Sequence, residues 1–223
     1  MFPFQTFQKY GCQGKSISVK RDLRGHELLS AMEDFQSELN STHRHEIDFC
    51  IVCIIGHGRV NPHTNLEEII GVDGKGVTRE ALEETINNGN KCPTMLGKPK
   101  IFLINACRGI EDNNLVPLPE KNPLDDSGID SDSKLGRCGS FSENSWHIVL
   151  SSTVRGKTSL RHKDMGSFFI QIFCHTMKQF GEYCTFTQVI QKSSKMVQAI
   201  IGQVPSWTSC IPEEFYFSKS VPL

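Results

Sequence analysis

Two short apolar segments, the continuous run FCIVCII at 49–55 and the largely apolar KIFLINA at 100–106, constrain this chain more than any other feature. Each is too short for a typical helix, is rich in isoleucine, and stops at a tight polar cluster: Gly56-His57-Gly58 in one case, Cys107-Arg108-Gly109 in the other. Runs of this length without polar alternation read as strands buried on both faces, the condition of central strands in a parallel sheet that helices cover. WHIVLSS at 146–152 has the same character. Between these runs the period changes. LRGHELLSAMEDFQSEL at 23–39 places Leu28, Leu29, Met32, Phe35 and Leu39 on one helical face, and Thr78 is the candidate cap of a helix through TREALEETI. Two further stretches, 165–180 and 185–200, also read as helices. SISVK at 16–20 and the closing EEFYF at 213–217 read as short strands. Strands alternating with helices predict an α/β fold with a largely parallel central sheet.

From 110 to about 144 the periodicity disappears among prolines, glycines, serines and aspartates, the composition of a long exposed loop or linker. The charges nearly cancel, with 24 basic against 25 acidic residues, so no nucleic acid partner is expected. The sequence has no signal peptide pattern and no apolar run that would cross a bilayer, so neither membrane association nor secretion is expected. Nine cysteines, several of them inside apolar segments, fit a reduced cytoplasmic chain better than a disulfide framework. Cys50 and Cys53 have zinc-like spacing, yet residues three apart on a strand face opposite sides and no second ligand pair accompanies them. No metal and no cofactor is expected. His43, His45, His63, His147, His162 and His175 stand in no motif.

His57 and Cys107 each follow a buried strand immediately. In an open α/β sheet, ligands bind beyond the carboxyl ends of the strands, so both side chains are expected on one edge. A histidine beside a cysteine can take its proton to make a thiolate, then return the proton to a leaving amine. Backbone N–H groups of Gly58 and Cys107 are the candidate oxyanion hole.

Asn105-Ala106-Cys107-Arg108-Gly109, with His57 50 residues before Cys107, resembles the caspase signature, a Gln-Ala-Cys-Arg-Gly type pentapeptide with its histidine about 50 residues upstream. GHG, GKPKIFLINACRG, the aspartate-rich linker, TSLRHKDMGSFFIQ and EEFYF follow in the order of that family. The resemblance implies a three-layer sandwich and an endopeptidase of apoptosis or related signalling that cuts protein substrates after an exposed aspartate. It implies a large-subunit region at 1–126, an intersubunit linker at 127–145 and a small-subunit region at 146–223. In the linker, Asp125, Asp126, Asp130 and Asp132 become candidate sites of zymogen processing. Arg161 and Ser159 of TSLRH, Ser167 and Asn105 match the pocket that holds the substrate carboxylate, for which guanidinium and amide donors are suited. Pairing with a second copy or with another caspase is expected through the closing strand edge.

Three departures stand out. The family contributes a second pocket arginine from a loop after its first strand, and this chain is expected to lack both that strand and that arginine, with Arg21 and Arg24 as poor substitutes. Asn105 stands for the usual glutamine, and Leu160 for a common tryptophan. One hydrogen bond to a charged group is worth roughly 1.5–3 kcal/mol, about ten- to a hundredfold in affinity. The alternative is therefore a catalytically impaired homologue that regulates an active caspase by pairing with it. Related folds that cleave after basic residues need an acidic pocket, against which Arg161 and Arg108 argue. No recruitment domain is expected ahead of the catalytic region.

Overall fold

The computed structural model describes residues 6, 8, 9, 17–109, 146–162, 166–211 and 214–217. In chain order the elements are helix α1 (Gly25–Ser41), strands β1 (Cys50–Ile55), β2 (His57–Val60), β3 (Glu67–Ile70) and β4 (Gly76–Thr78), helix α2 (Arg79–Asn87), strands β5 (Lys100–Asn105), β6 (His147–Ser151), β7 (Arg161–His162) and β8 (Gly166–Ser167), helices α3 (Phe168–Phe180) and α4 (Phe186–Ile201), and strand β9 (Ser206–Ser209). The main sheet runs β1-β5-β6-β9. Its first three strands are parallel and β9 is antiparallel to β6.

Every side chain of β5 is buried, because both faces are covered. On one face Ile101, Leu103, Ile148 and Leu150 pack with Phe169, Phe173 and Met177 of α3 and Val189, Ile190 and Val197 of α4. On the other, Phe102, Ile104 and Val149 pack with Met32 and Leu39 of α1 and Leu82 and Ile86 of α2. Strand alternation sends neighbouring residues to opposite layers, and the expected helix–sheet–helix sandwich results. Thr78 caps α2 as expected, its Oγ1 accepting from the Ala81 N–H at 3.3 Å. Even Lys100 is buried. Its Nζ donates to the carbonyls of Met95 at 3.0 Å and Lys98 at 3.1 Å, and burial lowers its pKa.

The structure corrects four expectations. Residues 17–20 form no strand; they have no ladder partner. β1 is less completely buried than β5: it ends the strand order among the described residues, and Ile55 is exposed while Cys50 is buried. The Gly-His-Gly cluster is no simple turn, because His57 opens β2 of a second, antiparallel sheet β2-β3-β4. The closing aromatic segment forms no strand in its described residues 214–217. Phe215 and Phe217 instead stack around Phe186 at 5.1 Å each, because their apolar area is better buried there than in a ladder. The strand at that end of the sheet is β9, at 206–209.

The small sheet is anchored to α1. Asp73-Gly74, with Gly74 at φ 75°, turns the β3–β4 hairpin. Asp73 Oδ1 accepts the Gly25 N–H at 2.9 Å, and that bond lowers the Asp73 pKa. A Cβ on Gly71 would stand 2.2 Å from the Gly25 nitrogen, so this crossing requires glycine.

Candidate active site

The parallel register pairs Ile55 with Asn105, so β1 and β5 deliver their following residues to the same edge. The pairing continues beyond both strands: Gly56 N–H donates to Asn105 O at 3.1 Å and Val60 N–H to Gly109 O at 2.8 Å. Between these bonds Gly58 lies against the backbone of Cys107. A Cβ there would meet Cys107 O at 2.6 Å, the Ala106 Cβ at 2.9 Å and Glu68 O at 3.0 Å. Glycine is thus what allows the His57 and Cys107 segments to touch. The His57 side chain is exposed and makes no hydrogen bond to Cys107 Sγ.

Cys107 is half-buried, and its sulfur accepts the Ser159 N–H at 3.3 Å. Asn105 Oδ1 accepts from the hydroxyls of Ser159 at 3.0 Å and Ser167 at 2.7 Å. Ser152 Oγ lies 2.7 Å from Ser159 Oγ, and Ser167 Oγ also accepts the Ile170 N–H at 3.1 Å, capping α3. Arg161 sits opposite Ser167 in the β7–β8 pair, exposed, with no hydrogen bond or ion pair to its guanidinium among the described residues. Fold and sequence thus bring together Asn105, Cys107, Ser159 and Ser167, with Gly58 against Cys107. Asp125, Asp126, Asp130 and Asp132 lie outside the described residues.

Arg108 has a task that its place in the motif did not reveal. Its backbone is clamped to the 153–160 loop, N–H to Lys157 O at 2.9 Å and carbonyl from Gly156 N–H at 2.7 Å. Its guanidinium donates to Thr153 O at 2.8 Å, Ser206 Oγ at 2.6 Å and Glu67 Oε1 at 2.6 Å. Glu67 Oε2 pairs in turn with Arg79 at 2.9 Å, and Arg79 with Glu83 at 3.0 Å. Burial pushes the Glu83 pKa up to about 7, with Glu80 and Glu67 adding to the rise and Arg79 opposing it. The expectation that Arg108 makes the substrate pocket basic is therefore corrected: its charge is matched by Glu67. Nearby, Glu68 holds Arg59 at 2.9 Å and Asn61 at 2.8 Å; burial opposes these bonds, whose sum still lowers its pKa. Glu67 and Glu68 escaped sequence reasoning because EE in a short strand carries no signal.

Among the described residues no three His, Cys, Asp or Glu side chains group to hold a metal, and no helix is long and apolar enough to cross a membrane. A sequence profile of the caspase domain matches residues 4–216. The chain belongs to the caspase-domain family. Among similar curated proteins, caspase-3 of Xenopus laevis is 28% identical over 219 residues, covering 92% of this chain and 68% of that protein. Caspase-6 of Bos taurus is 27% identical over 229 residues, covering 95% and 73%. Caspase-9 of Homo sapiens is 25% identical over 221 residues, covering 92% and 52%, so this chain spans about half of that caspase. At the level of the family these are cysteine proteases of apoptosis. The expected α/β caspase fold, with a mostly parallel sheet between helices, is the fold observed.

Proposed function

We propose that this chain is a cysteine endopeptidase that cleaves protein substrates after aspartate, with Cys107 as nucleophile and His57 as acid and base. The observation that carries this reading is the meeting of the two post-strand segments at Gly58 and Cys107, with the Ser159 N–H on the sulfur. His57 takes the thiol proton, and the thiolate adds to the carbonyl carbon after the aspartate. The oxyanion is held by the N–H groups of Gly58 and Cys107. As the C–N bond breaks, the amine leaves with the proton from His57, and water hydrolyses the thioester. The missing His57–Cys107 hydrogen bond does not oppose this, since such bonds often tighten only around substrate. Arg161 supplies the free cation for the substrate carboxylate, and Asn105, Ser159 and Ser167 line its pocket.

Maturation on this reading cuts after one of Asp125, Asp126, Asp130 or Asp132 and separates 1–126 from 146–223, with 127–145 as linker. Pairing with a second caspase chain would use the sheet edge at β9, 206–209, not the aromatic segment that follows it. One observation favours the alternative of a regulatory homologue: Asn105 Oδ1 is already occupied by two serine hydroxyls. Incubation with a peptidyl-aspartyl fluoromethyl ketone decides between them. Mass spectrometry is expected to find the adduct on the Cys107 peptide and none in Cys107→Ala. No adduct at any concentration would overturn the enzyme reading in favour of the regulator.

A further inference from the structure

Loop 152–160 carries Ser159 to the Cys107 sulfur and leads directly into Arg161, so whatever fixes its two ends sets the substrate pocket. Besides the Ser152–Ser159 hydroxyl bond, one side chain reaches the backbone at both ends. Gln203 is 6% exposed; its Nε2 donates to Ser152 O at 2.5 Å and its Oε1 accepts the Leu160 N–H at 2.7 Å. Ser152 is fixed on the other side by its N–H bond to Ile104 O at 2.8 Å, so one end of this clamp is part of the sheet. Gln203 reaches the position because Gly202 ends α4 in the left-handed region at φ 69°, turning the chain back toward the sheet.

We infer that Gln203 is a positioning residue for aspartate recognition, holding the Ser159-Leu160-Arg161 backbone at the register the pocket needs. This rests on the aspartate-directed reading above. The Arg161 guanidinium has no partner among the described residues, so its placement derives from its backbone, which continues from Leu160 and pairs with Ser167. The middle of the loop is held separately, by Lys157 and Gly156 on the Arg108 backbone. Loss of the Gln203 clamp therefore frees the Leu160 backbone that leads into Arg161, while Ser159 stays held by Cys107, Asn105 and Ser152 and the nucleophile segment stays pinned. Substrate capture and thiol chemistry part company.

The test measures two rates on the Cys107 peptide by mass spectrometry: alkylation by iodoacetamide, which needs no pocket, and by a peptidyl-aspartyl fluoromethyl ketone, which does. In Gln203→Ala the aspartyl rate is expected to fall roughly ten- to a hundredfold, as one to two hydrogen bonds are lost, with the iodoacetamide rate unchanged. Gln203→Glu supplies the second reading. Its carboxylate still accepts from Leu160 but opposes the Ser152 carbonyl; once protonated it donates there as the amide did. Its aspartyl rate, relative to the unaltered chain, is expected to recover as pH falls. Ratios equal to the unaltered chain in both variants overturn the inference, and so does parallel loss of both rates in both variants, which marks a folding role only. An unaltered chain that takes iodoacetamide but no aspartyl probe overturns the enzyme reading and this inference with it.

Discussion

Glu83 on α2 is buried beside Arg79, and its carboxyl keeps a proton that an exposed glutamate would release. The perturbation is Glu83→Gln, an uncharged side chain of nearly equal shape. The groups facing the site are Arg79 and Glu80 on α2 and Glu67 on β3, all retained in the variant. In the unfolded chain the carboxyl titrates near its ordinary 4.5, and in the folded chain at about 7. Between these values the folded state binds the proton and the unfolded state does not, so stability falls as pH rises through the window. Each unit corresponds to about 1.4 kcal/mol, so the full loss approaches about 3 kcal/mol above pH ~7. The amide carries no such loss. The stability difference between variant and unaltered chain is therefore expected to be near zero at pH ~4.5 and to grow to about 3 kcal/mol by pH ~8, roughly a 1 M rise in urea midpoint at neutral pH. Urea titrations followed by circular dichroism at several pH values measure it; groups common to both proteins cancel in the difference. A difference that stays flat across pH 5–8 would refute the reasoning.

Gly58→Ala places a methyl 2.6 Å from Cys107 O, whereas a Cβ on Gly56 meets nothing within 4 Å. Adduct formation on Cys107 is expected to drop more than about tenfold in the first and to survive in Gly56→Ala, the cost being the off-register backbone shift that overpacking forces; equal rates would mean the two segments need not touch. Glu67→Gln leaves Arg79 and Arg108 facing an uncharged amide and is expected to cost about 3–5 kcal/mol by chemical denaturation; a loss below about 1 kcal/mol would place the network in solvent-screened surroundings. Thr78→Ala removes the cap bond to Ala81 and is expected to lower stability by about 1 kcal/mol, read from the same titration, with no loss indicating that water replaces the cap.

Much of this protein was legible before any coordinates. The runs 100–106 and 146–152 became β5 and β6 because their apolar centres, IFLI and IVL, have no stable place except between two covering layers. The face of α1 followed from its period, α3 and α4 were read as helices, and Thr78 announced α2. SISVK and EEFYF misled because local strand propensity says nothing about a partner: residues 17–20 found none, and Phe215 and Phe217 gained more by filling the layer around Phe186. β9 went unread because SWTS is short and polar, and joins the sheet only through its register with β6.

By itself the sequence determined strands β1 and β5, the candidate residues His57 and Cys107 placed just after them, and the family they announce; only the fold showed that β5 is buried throughout and β1 is not. Tertiary structure alone decided which polar groups meet. Glu67 reaches Arg108 across 41 residues and Gln203 reaches Ser152 across 51. Apolar periodicity is a local property that the chain carries in its own order. A hydrogen bond between distant residues exists only after the sheet has fixed both partners within about 3 Å, and neither residue's neighbours in the chain encode that distance.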